Sequence, residues 1–310
     1  MGEAAVRYRS VLEDNARWEG FPFREGDIVI STPAKCGSTW MQMICALLVF
    51  QTPDFDRPLA EISPWLDTLR ADRDEVVAAL EAQPHRRFIK THTPLDGLPL
   101  DDRVTYICVG RDPRDAGFSF YNLMANLDMA TFLTVWRNKA IGLKDLGELL
   151  PDGPQALPPT EIEWFWQWAD DRRPANESPV SLARLFHHIR TFWAATAGAP
   201  HLVLLHYDDL QADLEGQMRH LALRLGIDVP EQRWPKLVPA ARFAEMRRRA
   251  DDLVSNLDVW HDKKEFFHRG TSGQWHARLT EDDLRRYHQR VAELGDPEVT
   301  RWLHRNPPTG

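Results

Sequence analysis

Cysteine is scarce in this chain, long apolar runs are absent, and positive charge is in deficit. The three cysteines, Cys36, Cys45 and Cys108, are scattered, with no CxxC pair and no Cys/His cluster. That spacing excludes a disulfide framework and a structural zinc site, so no metal is expected, and a cytoplasmic location fits best. The longest uninterrupted apolar stretch, ICALLVF, is far too short to cross a bilayer. The opening MGEAAVRYRSVLEDN has no apolar core of leader-peptide length, and Val6 stands where a myristoylation signal needs Ser or Thr. Lys and Arg number 38 against 46 Asp and Glu, a formal charge of −8. Such a balance supplies no spread basic surface for nucleic acid, so any anion site must be local. Nothing in the sequence addresses oligomeric state.

What is present is an ordinary globular composition, 43% hydrophobic over 310 residues, organised as alternating strand and helix signals. DIVIST is a short run rich in β-branched residues, the pattern of a buried parallel strand. Trp40, Met43, Ile44, Leu47 and Leu48 follow at helical spacing and predict a helix from Ser38 to about Phe50. RRFIKTH, RVTYICVGR and HLVLLHYDDL offer three further strands, and DRPLAEISPW reads as a loop. Asp112 and Pro113 suit the cap and first position of another helix, with Asp115 adding favourable charge. LEGQMRHLALRLGI is an amphipathic helix ending at Gly226. This alternation predicts an α/β, P-loop-like three-layer fold with a central, mostly parallel sheet flanked by helices. The expectation is a single domain over 1–310 with a helical insertion at about 123–200, where the loop LPDGPQALPPT precedes the tryptophan-rich EIEWFWQWADD. Core packing is the expected role of Trp164, Trp166 and Trp168.

The segment STPAKCGSTW joins the first strand to its helix. A turn of this kind leaves backbone N–H groups unpaired, which with the helix dipole make an anion site. Gly37, Ser38 and Thr39 supply donors at close range. The Walker pattern GxxxxGK[ST] is absent, because Lys35 precedes the glycine. Further on, Lys90 and His92 lie two apart in an extended strand and project together from its end, as a cation and a base sharing one site would.

PAKCGSTW resembles the PKSGTTW signature of the cytosolic-type sulfotransferases, which use 3′-phosphoadenosine-5′-phosphosulfate (PAPS) and release 3′-phosphoadenosine-5′-phosphate (PAP). The resemblance implies that Lys35 stabilises the departing bridging oxygen and that Trp40 stacks on adenine. RFIKTHTPL is similar to the strand carrying the family's catalytic histidine, here His92. YICVGRDPRDAGFSFYN resembles the second nucleotide signature and implies Arg111 and Ser119 on the 3′-phosphate, chemistry suited to a guanidinium and a hydroxyl. FFHRGTSGQWHARLT resembles the RKGxxGDW segment, placing His268, Arg269 and Gly270 near the same phosphate, with His268 where arginine is usual. ARFAEMRRR resembles the TSFxxM stretch, with Phe243 as the second face of an adenine sandwich and Ala241 in place of threonine; Tyr207 matches a tyrosine near the adenine. GDIVISTPAKCGSTW and FIKTHTPLDGLPLDDRVTYICVGRDPRD further resemble mycobacterial-type glycolipid sulfotransferases.

The implied activity is sulfuryl transfer from PAPS to a hydroxyl acceptor, with His92 as base and Lys35 and Lys90 as catalytic cations. The acceptor partner is a small molecule or lipid, with peripheral membrane contact left open and the acceptor pocket expected near Pro64, Trp65, 123–170 and the loop from Arg249 to His268. Two rivals account for part of the pattern. A nucleotide kinase or NTPase explains the strand-turn-helix but lacks its lysine and magnesium carboxylate. A non-catalytic PAP-binding or interaction module explains the nucleotide motifs without turnover.

Overall fold

The computed structural model describes residues 5–132, 134, 157–254 and 259–305. Most of LPDGPQALPPT, the middle of the expected insertion, and 255–258 of the Arg249 to His268 loop lie outside the described residues.

Four strands, β1 (Ile28–Ser31), β2 (Phe88–Thr91), β3 (Thr105–Gly110) and β4 (Leu202–His206), form one parallel sheet in the order β2-β1-β3-β4. Alternate residues feed opposite layers, as a two-residue period requires. Ile28, Ile30, Phe88, Ile107 and Val109 pack into one core, and Val29, Ile89, Tyr106 and Cys108 into the other. Helices α1 (Ser38–Phe50), α2 (Pro113–Ala125), α3 (Glu161–Ala169) and α4 (Leu182–Thr196) are among those that cover the two faces.

Local sequence explains the boundaries. The Asp112 carboxylate accepts from the Arg114 amide at the start of α2, with Pro113 at the first position. Thr160 and Glu163 cap α3 reciprocally, and the Ser181 hydroxyl accepts from the Arg184 amide at the start of α4. Two expectations are corrected. β4 stops at His206, and YDDL instead begins a helix over Tyr207–Ala212, because the His206 ring accepts from the Asp208 amide and turns the chain. DRPLAEISPW contains a single helical turn, Leu59–Ile62, rather than only loop.

Register is locked at the buried lower end of the sheet. Asp27 and Arg87, each immediately before its strand, form a buried bidentate pair, with Arg87 Nε donating to Asp27 Oδ1 at 2.8 Å. Arg87 Nη2 also donates to the Pro22 carbonyl at 2.8 Å, and the guanidinium stacks over the Phe21 ring. The pair sets Ile28 opposite Phe88, and with it the height at which the two strands end. Because β2 and β3 flank β1, the chain changes direction across the sheet there, and the crevice above the strands' carboxyl ends is the natural ligand position.

Removing one partner of a buried ion pair leaves the other charge uncompensated. Asp27→Ala is therefore expected to lower stability by about 3–5 kcal/mol, read from urea unfolding; a loss below about 1 kcal/mol would show that the pair does not hold the register.

Candidate active site

The turn between β1 and α1 is held in an unusual backbone state. Lys35 has φ 65° and Gly37 has φ 108°, left-handed values that only glycine adopts without cost. A β-carbon at Gly37 would lie 3.2 Å from the Tyr207 ring, so glycine is needed for space as well as conformation. No side chain caps α1, so the amides of its first turn, at Ser38 and Thr39, are open to an anion.

Arg111, just past β3 and only 4% exposed, braces this turn. Its Nη1 donates to the Lys35 carbonyl at 3.1 Å and its Nη2 to the Thr271 carbonyl at 3.2 Å. The guanidinium lies 4.4 Å from the Tyr207 ring centre, and its Nε is buried without a partner among the described residues. One side chain thus ties the turn to the loop around 268–275. Asp115 ties the same loop again, accepting from the amides of Gly273 at 2.7 Å and Trp275 at 3.3 Å. Arg114 pairs with Asp112 at 2.6 Å and stacks 3.6 Å above the Trp275 ring. The expected helix-start charges are present, but their larger structural role is to suspend this loop.

At the end of β2, His92 Nδ1 donates to the Thr32 carbonyl at 2.6 Å. A carbonyl can only accept, so the proton sits on Nδ1 and Nε2 is left as a base. Burial, reinforced by the Lys90 charge, holds the imidazole well below its ordinary pKa. Lys90 is pushed down to about 7, first by burial and then by the charges of Arg70 and Lys35. Lys35 is pushed down to about 8 by burial, with the Arg111 charge adding. The segment at Pro64–Leu66 runs beside β2, with the Lys90 amide donating to the Pro64 carbonyl at 3.0 Å. This sets the Trp65 ring 5.0 Å from Lys90 Nζ and edge-on to His92 at 4.9 Å.

Aromatic and loop residues complete the other end. Trp40 donates through Nε1 to the Ala241 carbonyl at 2.8 Å and meets Tyr207 edge-on at 5.0 Å. Gly270, φ 64°, packs so tightly on Phe243 that any β-carbon would collide with the ring. His268 contacts Glu265 at 3.1 Å, Arg269 is exposed at the rim and Ser119 is half-buried on α2. The structure brings Lys35, Gly37, Ser38, Thr39, Trp40, Lys90, His92, Arg111, Ser119, Tyr207, Phe243, His268, Arg269 and Gly270 around one cavity of ≈ 1050 Å³. Its remaining wall is mainly apolar, including Leu59, Trp65, Phe120, Met124, Trp164 and Trp260. Among the described residues no group of three or more His, Cys, Asp or Glu is arranged to hold a metal ion.

The sequence reading missed a polar network behind His92. Asp67 Oδ2 accepts from Thr91 at 2.6 Å, Thr93 at 2.7 Å and Trp18 at 2.9 Å, gripping the chain on both sides of the histidine. Arg184 Nη2 donates to Glu13 Oε1 at 3.1 Å and to the His92 carbonyl at 3.3 Å. Ser31 Oγ donates to the Thr93 carbonyl at 2.6 Å and meets His188 Nε2 at 2.9 Å. Trp164 packs against the core as expected and also lines the cavity, stacked on Phe120.

A parallel sheet with an anion-ready turn, a base and several cations above its strand ends defines a group-transfer enzyme acting on an anionic nucleotide. The sulfotransferase domain model matches residues 25–302, and the chain belongs to that family. It is 42% identical over 312 residues to a glycolipid sulfotransferase of Mycobacterium bovis, covering 96% of this chain and 94% of the relative. A glycolipid sulfotransferase of Mycobacterium tuberculosis is 40% identical over 307 residues, with 96% and 94% covered. In fold the chain is similar to a mouse sulfotransferase complexed with PAP, with TM-score 0.66, 18% identity, and 94% and 91% of the two chains covered. A retinol dehydratase in complex with androsterone and PAP gives TM-score 0.65, 18% identity, and 91% and 84% coverage. The chain is a PAPS-dependent sulfotransferase that transfers a sulfuryl group to a hydroxyl acceptor.

A polyanion beside Lys35 and Lys90 raises both lysine pKa values, so the protonated forms bind it more tightly. PAP affinity is therefore expected to be full below about 7, the lower of the two values, and to decline as pH rises through about 8, the higher. Calorimetric titration at about pH 8, in buffers of different ionisation enthalpy, should register net proton uptake; zero uptake would exclude this coupling.

Proposed function

We propose that the acceptor is an amphiphilic alcohol whose hydroxyl is presented to His92 while its apolar body lies against the Leu59, Trp65, Phe120 and Trp164 side of the cavity. The observation carrying this reading is the continuity of one cavity from the Lys35, Lys90 and His92 cluster to that apolar wall. The two mycobacterial relatives named as glycolipid sulfotransferases support the same acceptor class. Among the described residues no helix is long and apolar enough to cross a membrane.

The residues present fit PAPS. The uncapped first turn of α1, the close approach at Gly37 and the unpartnered Arg111 Nε offer donors for phosphate oxygens. Arg111, Ser119, His268, Arg269 and Gly270 are assigned to the 3′-phosphate end. Trp40, Tyr207 and Phe243 are assigned to adenine, and Gly37, Ser38 and Thr39 to the 5′ end. PAPS supplies a sulfuryl group already bonded to a good phosphate leaving group. In the transfer, the acceptor oxygen forms a bond to sulfur as the bridging sulfur–oxygen bond breaks. His92 Nε2 takes the hydroxyl proton, which a neutral imidazole held by Thr32 is ready to do. Lys35 neutralises the charge developing on the bridging oxygen, and Lys90 holds the sulfuryl oxygens. Half-burial of both ammonium groups strengthens these interactions relative to water.

Loss of the base should lower kcat by roughly 10²–10⁴-fold in His92→Ala, with PAP affinity little changed. Lys35→Ala should lower kcat by roughly 10²–10³-fold. Turnover within a few fold of wild type in His92→Ala, followed with labelled PAPS, would sink its role as base. The apolar wall makes a second expectation: across a homologous series of alkyl acceptors, kcat/KM should rise about fourfold per methylene, from about 0.8 kcal/mol each, until the wall is covered. A flat series would remove the apolar body from the proposal.

A further inference from the structure

Glu13 lies outside the stretch matched by the sulfotransferase domain, residues 25–302, yet it forms part of the wall of the reaction cavity. It is 4% exposed. Its two carboxyl oxygens have different situations. Oε1 accepts from Arg184 Nη2 at 3.1 Å, and the same nitrogen reaches the His92 carbonyl at 3.3 Å. Oε2 is buried and has no hydrogen-bond partner among the described residues. Arg184 is itself immobilised, with Nη1 donating to the Ala175 carbonyl at 2.8 Å and the guanidinium packed 4.0 Å from the Tyr8 ring centre. The carboxyl group is therefore fixed two hydrogen bonds from the His92 backbone.

A buried carboxylate oxygen without a donor is unfavourable in the unliganded protein, because the lost water hydrogen bonds are not replaced. Burial accordingly raises the Glu13 pKa to about 7, with the Arg184 charge opposing the shift. A ligand hydroxyl delivered to Oε2 would remove that deficit. Asn122, which also lines the cavity, has its Nδ2 buried without a partner among the described residues, and α2 carries it one turn beyond Ser119. An acceptor atom and a donor atom, each unsatisfied among the described residues, thus belong to side chains that line the same cavity.

We propose that Glu13 is a specificity residue for the acceptor: Oε2 receives a hydrogen bond from a second hydroxyl near the one that is sulfated, so the headgroup is a polyol such as a sugar. This assignment rests on the reading of the acceptor as an amphiphilic alcohol and narrows it. Charge-assisted hydrogen bonds of this kind discriminate strongly, because an acceptor lacking the hydroxyl leaves the carboxylate oxygen unpaired.

The test compares octyl glucoside with 1-octanol, which share a chain and differ in the headgroup. Wild-type enzyme should show the higher kcat/KM for octyl glucoside. In Glu13→Gln the side-chain carbonyl must face Arg184, which can only donate, so an amide N–H₂ replaces the free oxygen. That variant should lose roughly ten- to a hundredfold of the preference, with 1-octanol turnover and PAP affinity within about twofold of wild type. Glu13→Asp keeps the charge opposite Arg184 while withdrawing the oxygen by one methylene. It should show the same loss of preference and serves if the glutamine variant does not fold. A wild-type preference that both variants retain overturns the role of Glu13 and leaves the amphiphile reading standing. An equal fall for both acceptors with PAP binding intact overturns it too, since that would mark a residue positioning His92. Equal wild-type turnover of the two acceptors, or none of either, overturns headgroup recognition and the Glu13 assignment with it.

Discussion

The hydrogen bond from Arg111 to the Lys35 carbonyl is the constraint around which the site is organised. Lys35 occupies a left-handed backbone state that costs a non-glycine residue of order 1–2 kcal/mol, and such a state persists only where surroundings determine it. Arg111 comes from the neighbouring strand, so sheet pairing between β1 and β3 places the guanidinium at the height of the turn. From there the same group reaches Thr271 and covers Tyr207. Turn, returning loop and Tyr207 are consequently joined by one side chain whose own place is set by strand register, and Asp115 and Arg114 hold the same loop a second time.

Electrostatics follow from this geometry. The chain is acidic overall, at −8, yet Lys35, Lys90, Arg70 and Arg111 all line one cavity. Burial and mutual proximity press the two lysines downward, so the cavity concentrates positive charge at a cost. Binding an anion relieves that repulsion, which makes local charge rather than net charge the attraction. Glu13 and Asp67 sit behind the cations as partial compensation, contributing to the Lys90 balance in the opposite direction. Asp67 accepts from Thr91 and Thr93 on either side of His92, and Arg184 bridges the Glu13 carboxylate and the His92 carbonyl.

The α/β order, the limits of α1 and the cavity-lining positions from Lys35 to Gly270 were legible because each depends on local order along the chain: a strand end, a glycine turn, a capped helix start. The network of Glu13, Asp67, Arg184 and His188 was not, because its contacts join segments up to 171 positions apart and its members read individually as ordinary polar residues. The YDDL segment misled for a related reason. Its apolar and polar residues continue the β4 pattern, and only the His206 ring turned onto the Asp208 amide shows where the strand ends. Trp164, Trp166 and Trp168 point to a helical limit of another kind. Spaced by two on a helix, Trp164 and Trp168 lie one turn apart on the same side, and Trp166 projects from the other. Trp168 is buried, Trp166 donates to Asp283, and Trp164 faces the cavity.

Cys36 shows how the turn separates structural and chemical work between adjacent residues. Its side chain is fully buried in the core that also holds Val29 and Cys108, and burial pushes the thiol up to about 12. A neutral, unreactive thiol in that position behaves as a small apolar side chain. Lys35 on one side lines the cavity, while Gly37 on the other admits the Tyr207 ring. Anchoring the middle of the turn in the core resists rotation of the peptide units around it. The left-handed lysine is thus restrained from two sides, by an apolar anchor through Cys36 and a polar one through Arg111. This explains why the turn can depart from the family signature at Ala34 and Cys36: small side chains there satisfy packing, and the ammonium is presented by backbone conformation.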